Sequence, residues 1–289
     1  MIQASKIAVI IPHYNDHDRL RRCLSALAKN DLTAAEVVVV DNASPTPVEP
    51  ITQEFPQVRL VTEPLKGAAA ARNRGAAETT APTLAFLDAD CVPAPDWLTT
   101  ANALAADNTV IGGRIDVFDE TPAPRSGAEA FETVFAFHQR SYVEDKGFSV
   151  TANLVTTRSV FDRTGPLIVG VSEDLEWCQR ATAKGARLVY ADTLKVSHPT
   201  RIDWPALRKK WLRTTQEAFQ LQPANAAGRL KWVLRAAAMP LSIAAHTPKV
   251  LRHPALRGAT ERRAALATLA RLRLTRAAWM LRQSLGIPL

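Results

Sequence analysis

The first ninety residues repeat one pattern: a short apolar run rich in β-branched residues, a turn, then a stretch at helical spacing. The runs are Lys6-Ile-Ala-Val-Ile-Ile11, Glu36-Val-Val-Val-Val40, Arg59-Leu-Val-Thr62 and Leu84-Ala-Phe-Leu87. Their length and β-branching predict strands covered on both faces. Between the first two, Leu20, Cys23, Leu24 and Leu27 recur at helical spacing behind Asp16 or Asp18, either of which can cap the helix. Lys66-Gly67 opens an alanine-rich helix carrying Arg72, Asn73 and Arg74. Strands alternating with helices in this way need right-handed crossovers, so the fold class is α/β with a parallel sheet. No Gly-x-Gly-x-x-Gly follows the first strand, which argues against a nicotinamide-type site.

In open α/β sheets ligands bind outside the carboxyl ends of the strands. Three segments fall there: Pro12-His-Tyr14-Asn15, Asp41-Asn-Ala-Ser44 and Asp88-Ala-Asp90. Asp88 and Asp90 have no basic residue within several positions. Two such carboxylates repel unless a cation lies between them, and a hard divalent ion is held by one or two carboxylates plus substrate phosphates. The alternative is a solvated acidic turn. Tyr14 offers a ring for stacking on a base, Asp41 an acceptor for base or ribose, and Arg72 a fork for phosphate. Taken singly, these are equally a packed tyrosine, a turn residue and a solvated helix charge. At successive strand ends they favour a nucleotide.

Four blocks in order resemble those of family 2 glycosyltransferases: Val9-Ile-Ile-Pro12-His-Tyr14-Asn15, Val38-Val-Val-Asp41-Asn-Ala-Ser44, Ala71-Arg72-Asn73-Arg74-Gly75 and Phe86-Leu-Asp88-Ala-Asp90. The resemblance covers roughly residues 6–200. It implies a GT-A fold: a Rossmann-like, mixed but mostly parallel sheet flanked by helices. It also implies inverting, metal-dependent transfer from a nucleotide-diphospho-sugar to an acceptor hydroxyl, in bacterial polysaccharide or glycolipid assembly. Pro12, Tyr14, Asn15, Asp41, Arg72, Asn73 and Asp88 are then expected on the nucleotide sugar. Mg²⁺ or Mn²⁺ is expected on Asp90, with Asp88 and the late His198 beside it.

The acceptor side resembles the same family. Val171-Ser-Glu173-Asp174-Leu-Glu176-Trp177-Cys178-Gln-Arg180 enters a helix that ends near Lys184-Gly185. Inversion is one displacement, and the attacking hydroxyl must lose its proton to a positioned base. Asp174 matches the family's base, with Glu173 orienting the acceptor or the loop. Both acids equally suit a helix start for dipole reasons alone. Asn153 and Trp177 are expected on the acceptor side. The glycine pair in Val110-Ile-Gly-Gly-Arg114 suggests close backbone approach near a ligand. Residues 119–147 are polar and mixed, and are expected to form a mobile excursion over the site. Runner-up functions are a sugar nucleotidyltransferase, which would want a glycine-rich phosphate loop after the first strand, and a non-catalytic nucleotide-sugar-binding scaffold.

Charge divides the chain. Residues 1–200 carry 19 Lys/Arg against 25 Asp/Glu, a net of −6, whereas residues 201–289 carry 17 against 3, a net of +14. A catalytic domain over 1–225 and a basic helical extension over 226–289 are expected. Within the latter a helix over 261–285 has a stripe of Leu266, Ala270, Leu274, Ala277, Leu281 and Leu285. With Trp232, Trp279 and the arginines, this favours an anionic bilayer surface as partner; the family resemblance implies a lipid-linked or glycan acceptor. The alternative is a solvated extension packed on the catalytic domain. No nucleic-acid motif appears. Arg208-Lys-Lys-Trp211 resembles a region near the family's acceptor site, but the Gln-x-x-Arg-Trp of processive synthases is absent. Met1–Ser5 is polar, no run reaches the roughly 20 apolar residues of a membrane span, and Cys23, Cys91 and Cys178 lack paired spacing. These point to the cytoplasm, peripheral at the inner face of the cell membrane.

Overall fold

The computed structural model describes residues 6–289; the polar start Met1–Ser5 lies outside the described residues. In chain order the elements are Ile7–His13 (β1), His17–Leu27 (α1), Ala35–Asp41 (β2), Glu49–Thr52 (α2), Val58–Thr62 (β3), Ala68–Ala77 (α3) and Thr83–Leu87 (β4). Val92–Pro93 (β5), Trp97–Leu104 (α4), Thr109–Phe118 (β6), Gly127–Phe135 (α5), Gln139–Glu144 (α6), Asn153–Thr157 (β7) and Arg158–Thr164 (α7) follow. Glu173–Ala183 (α8), Arg187–Pro199 (β8), Trp204–Gln220 (α9), Ala226–Leu251 (α10) and Gly258–Ser284 (α11) complete the chain.

Among the described residues the strands form one eight-stranded sheet, ordered β3-β2-β1-β4-β7-β6-β8-β5. β1 is parallel to β2 and β4, and β2 to β3. β7 runs antiparallel to β4 and β6, and β5 to β8, so the sheet is mixed. Chain order reverses between β1 and β4, the kind of switch point where an open sheet leaves a crevice. The last β1–β4 pair is Ile10 with Phe86, yet β1 stays paired to β2 as far as His13 with Asp41. Pro12, which has no N–H to give, falls beyond the β4 ladder where none is needed.

The described residues form two compact units, 6–116 with 138–198 and 117–137 with 199–289. In the first, Ile7, Ala8, Val9, Ile10 and Ile11 are fully buried, which fits a central strand covered on both faces. Leu20, Cys23, Leu24 and Leu27 form the buried face of α1. A Cβ at Gly75 would overlap the Ile10 side chain, so glycine lets α3 lie directly on β1. In the second unit Phe131 and Val134 of α5 share a core with Leu207, Val250, Leu256, Leu269 and Leu272. Trp232, Ala236 and Met280 form a smaller cluster.

Several expectations need correction. Residues 127–135 form a helix with a complete capping box, Ser126 with Glu129, and a buried apolar face, not a mobile excursion. The glycine pair meets protein rather than ligand: a Cβ at Gly112 would strike Ser149 and Val143, and one at Gly113 the Asn153 amide. Trp232 and Trp279 are buried, at 1 % and 6 % exposure, so neither is available to a bilayer. The unit boundary does not follow the division at residue 225, because α5 and α9 group with α10 and α11.

Candidate active site

The carboxyl ends of β1, β2 and β4 share one edge of the sheet and bring the predicted segments together. His13 ends β1 with its side chain fully buried. Its Nε2 accepts the Asp16 N–H at 3.1 Å, which places the ring proton on Nδ1, where it donates to Asp41 Oδ1 at 3.2 Å. Burial holds the His13 pKa below its ordinary value against the opposing pull of Asp41. The Ser44 hydroxyl also donates to Asp41 Oδ1, at 2.5 Å, and the Ser44 N–H to Oδ2 at 3.1 Å. Ser44 Oγ accepts the Asn15 N–H at 2.8 Å, and Asn15 takes a left-handed φ of 46°. Asp41 is therefore held rigidly from three sides. Above it Tyr14 is 53 % exposed, with Lys66 Nζ 5.8 Å from the ring centre. Asn42 completes this corner by bonding the Glu63 and Leu65 carbonyls and the Gly67 N–H.

Arg72 stands at the centre of the site. Its side chain is 5 % exposed; one terminal nitrogen donates to Asp88 Oδ1 at 2.6 Å and the other to Glu173 Oε1 at 3.1 Å. Its Nε is buried without a partner. Asp88, Asp174 and Glu173 together outweigh burial and hold the guanidinium firmly protonated. The expected carboxylate pair meets partners from elsewhere in the chain: Arg72 pairs with Asp88, and His198 Nε2 lies 3.1 Å from Asp90 Oδ2. Arg72 serves carboxylates here rather than standing open to phosphate.

Glu173 and Asp174 begin α8, where orphan N–H groups favour negative charge. The two fare differently. Asp174 Oδ1 accepts the Thr151 N–H at 3.1 Å and the Thr151 hydroxyl at 2.7 Å. Burial, opposed by Arg72 and reinforced by Glu173, pushes the Asp174 carboxyl up to about 6. Glu176 is turned to Arg180, which forks onto both its oxygens at 2.7 Å.

Three predicted site residues spend their polar groups on protein partners. Asn153 is fully buried; its Oδ1 accepts Trp97 Nε1–H and its Nδ2 donates to the carbonyls of Arg114 and Leu194. Trp177 is 1 % exposed, donates to the Gly165 carbonyl and packs on Phe161. Both acceptor-side expectations are corrected on these grounds. Asn73 bonds both backbone groups of Leu167 at 2.8 Å and so pins residues 165–172 in front of α8. The site also uses His13, Asn42 and Thr151. The first two stand inside the strand-end blocks, but only the fold reveals that they hold Asp41 and the 63–67 turn.

The donor set can accept a divalent ion. Adjacent ligands of an octahedral Mg²⁺ lie about 3 Å apart, close to the separation of Asp90 Oδ2 and His198 Nε2. Among the described residues no three such groups assemble, so further positions would fall to water and substrate oxygens. The three cysteines are buried and free, and burial raises each thiol pKa, so none is poised to ligate.

A mixed sheet with this strand order, acids at the switch-point edge and a helical C-terminal part is a GT-A glycosyltransferase fold. The mannosyltransferase PcManGT from Pyrobaculum calidifontis, solved with GDP-Man and Mn²⁺, superposes with a TM-score of 0.53 at 18 % identity, covering 99 % of this chain and 77 % of that one. S. aureus TarS 1-349, solved with UDP-GlcNAc, gives 0.56 at 16 % identity, covering 98 % and 92 %. The sequence model of "Glycosyl transferase family 2" matches residues 8–169, and the chain belongs to that family. Glycosyltransferase AglE of Haloferax volcanii is 29 % identical over 220 residues, 71 % of this chain and 70 % of that protein. The pre-mycofactocin glycosyltransferase of Mycobacterium tuberculosis is 31 % identical over 69 % of this chain, but the match spans only 44 % of that protein.

Proposed function

We propose that the protein transfers a sugar, with inversion, from a nucleoside-diphosphate sugar to an acceptor hydroxyl, and that Asp174 is the base. The carrying observation is that Arg72 ties Asp88, from the donor edge, to Glu173, beside Asp174, so one guanidinium holds both halves of the chemistry in register. Tyr14 stacks on the base and Asp41, oriented by His13 and Ser44, accepts its N–H. Fold neighbours bound to GDP-Man and UDP-GlcNAc support a nucleotide-sugar donor without fixing which one. Asp90 and His198, with Asp88 nearby, would hold Mg²⁺ or Mn²⁺. The bound ion would supply Lewis-acid stabilisation of the departing diphosphate.

Glu173 is engaged by Arg72 through Oε1. Asp174 is half-buried, and with a pKa of about 6 it is ionised at neutral pH yet more basic than an ordinary carboxylate. Thr151 occupies Oδ1 and fixes the rotamer, which leaves Oδ2 for the acceptor hydroxyl. The acceptor is a glycan or a lipid-linked saccharide. α10 exposes Leu230, Leu234 and Leu241 beside its basic residues, which supports residence on an anionic inner membrane surface. Among the described residues no helix is long and apolar enough to cross a membrane. Hydrolysis of a panel of nucleotide sugars, with and without Mn²⁺, tests the reading: one donor should be consumed in a metal-dependent way, and D90A should abolish that consumption. Consumption of nucleoside triphosphate and sugar phosphate instead would overturn it.

A further inference from the structure

The second unit holds arginines that the transfer chemistry leaves unused. Arg276 is 5 % exposed; its guanidinium lies 4.4 Å from the Trp211 ring centre and donates from Nε to Thr215 Oγ1 at 3.3 Å. Arg273, one turn earlier on α11, reaches Met239 Sδ at 3.7 Å with one terminal nitrogen, and its buried Nε has no partner. Arg235 precedes Met239 by one turn on α10 and so shares the helix face that Arg273 meets. Its guanidinium lies 5.5 Å from the Trp232 ring centre. α10 and α11 thus bring three guanidinium groups to one place, beside Trp211 and Thr215 of α9.

Among the described residues no ion pair joins any of the three to a carboxylate. Asp203 caps α9, Glu217 lies beside Arg213, and Glu261 bonds Arg125. Asp119 pairs with Arg125, and Glu132 with Arg201 and Lys210. Burial and the neighbouring arginines lower the proton affinity of Arg273 and Arg276, the latter to about 9. A buried charge left unpaired is strongly destabilising unless an anion meets it. Guanidinium forks match phosphate oxygens two at a time. Exposure rises from buried Arg276 through half-buried Arg273 to exposed Arg235, which leaves a route in from solvent.

We propose that Arg235, Arg273 and Arg276 form a phosphate-binding site, with the Thr215 hydroxyl beside it. The phosphate is either a soluble one or the headgroup of a lipid; exposed Leu230, Leu234 and Leu241 on α10 put apolar surface next to the charge. The site is independent of the donor site. It is tested on the full chain in EDTA, by calorimetric titration with inorganic pyrophosphate and by co-sedimentation with phosphatidylcholine vesicles with or without phosphatidic acid. In at least one arm a binding event should weaken about tenfold or more in R235M and in R273M/R276M, and persist in D90A and in K231M. The K231M variant removes the same charge one turn from Arg235. Unliganded R273M/R276M should melt above the wild type, and where pyrophosphate binds it should narrow that gap. Pyrophosphate binding identifies a soluble phosphate; binding confined to phosphatidic acid identifies a headgroup. The proposal fails if neither probe binds, or if binding survives R235M. Because Arg235 is exposed, that variant decides the matter even if R273M/R276M does not fold.

Discussion

Arg72 neutralises Glu173 and leaves its neighbour Asp174 to titrate in a half-buried position. A base must be unprotonated to accept the acceptor's proton, so activity should fall as pH drops through about 6 and Asp174 takes up one proton, approaching about tenfold per pH unit. The pH–rate profile of kcat checks this; a flat profile from pH 5 to 8 would contradict it. Stability runs the other way. The folded-state pKa lies above the ordinary Asp value of about 3.9, so the stability tied to this group is fully present at low pH and is lost as pH rises through the folded value. D174N should therefore melt above the wild type at pH 8, and the difference should shrink toward pH 4, as calorimetry would record. At this scale the motif residues were legible in the sequence, but their partners were not. Nothing local couples Arg72 to Glu173 or Asp90 to His198, because only the fold closes those separations. Trp177 and Asn153 misled because a residue inside a functional segment can face the core, and helix or strand phase alone does not show which way it faces.

At the scale of elements, the 165–172 loop is the hinge of the account. Asn73 holds it by two hydrogen bonds to Leu167, and the loop feeds directly into the acids of α8. N73A should cost about 1–2 kcal/mol of stability and lower kcat more than donor affinity, measured by denaturant unfolding and steady-state kinetics on one preparation. Equal losses in both kinetic parameters would assign Asn73 to the donor instead. The strands and α1 were readable because period and length agree there: a six-residue apolar run buried on both faces has few other fates. The 119–147 segment was not, because its polar majority hides a short apolar face. Ser126-Gly-Ala-Glu129 is nevertheless a capping-box signature that marks the start of α5.

At the scale of the molecule, the charge division in the sequence is real, but the packing does not follow it. Deleting residues 226–289 would strip the helices on which Phe131 and Val134 of α5 pack, so truncation is a poor test of membrane binding. Surface variants are better: L234E/L241E should lose most of its binding to anionic vesicles at low salt while keeping the wild-type melting temperature. Full-length protein that ignores such vesicles would end the membrane reading. The central claim concerns the first unit, that a base at Asp174 drives transfer from a donor held across the sheet edge. Single-turnover transfer by D174N, with donor affinity measured on the same sample, tests it most directly. The account predicts a rate reduced by ~10²–10⁴ with donor affinity unchanged; a near wild-type rate would contradict it and move the base to Glu173.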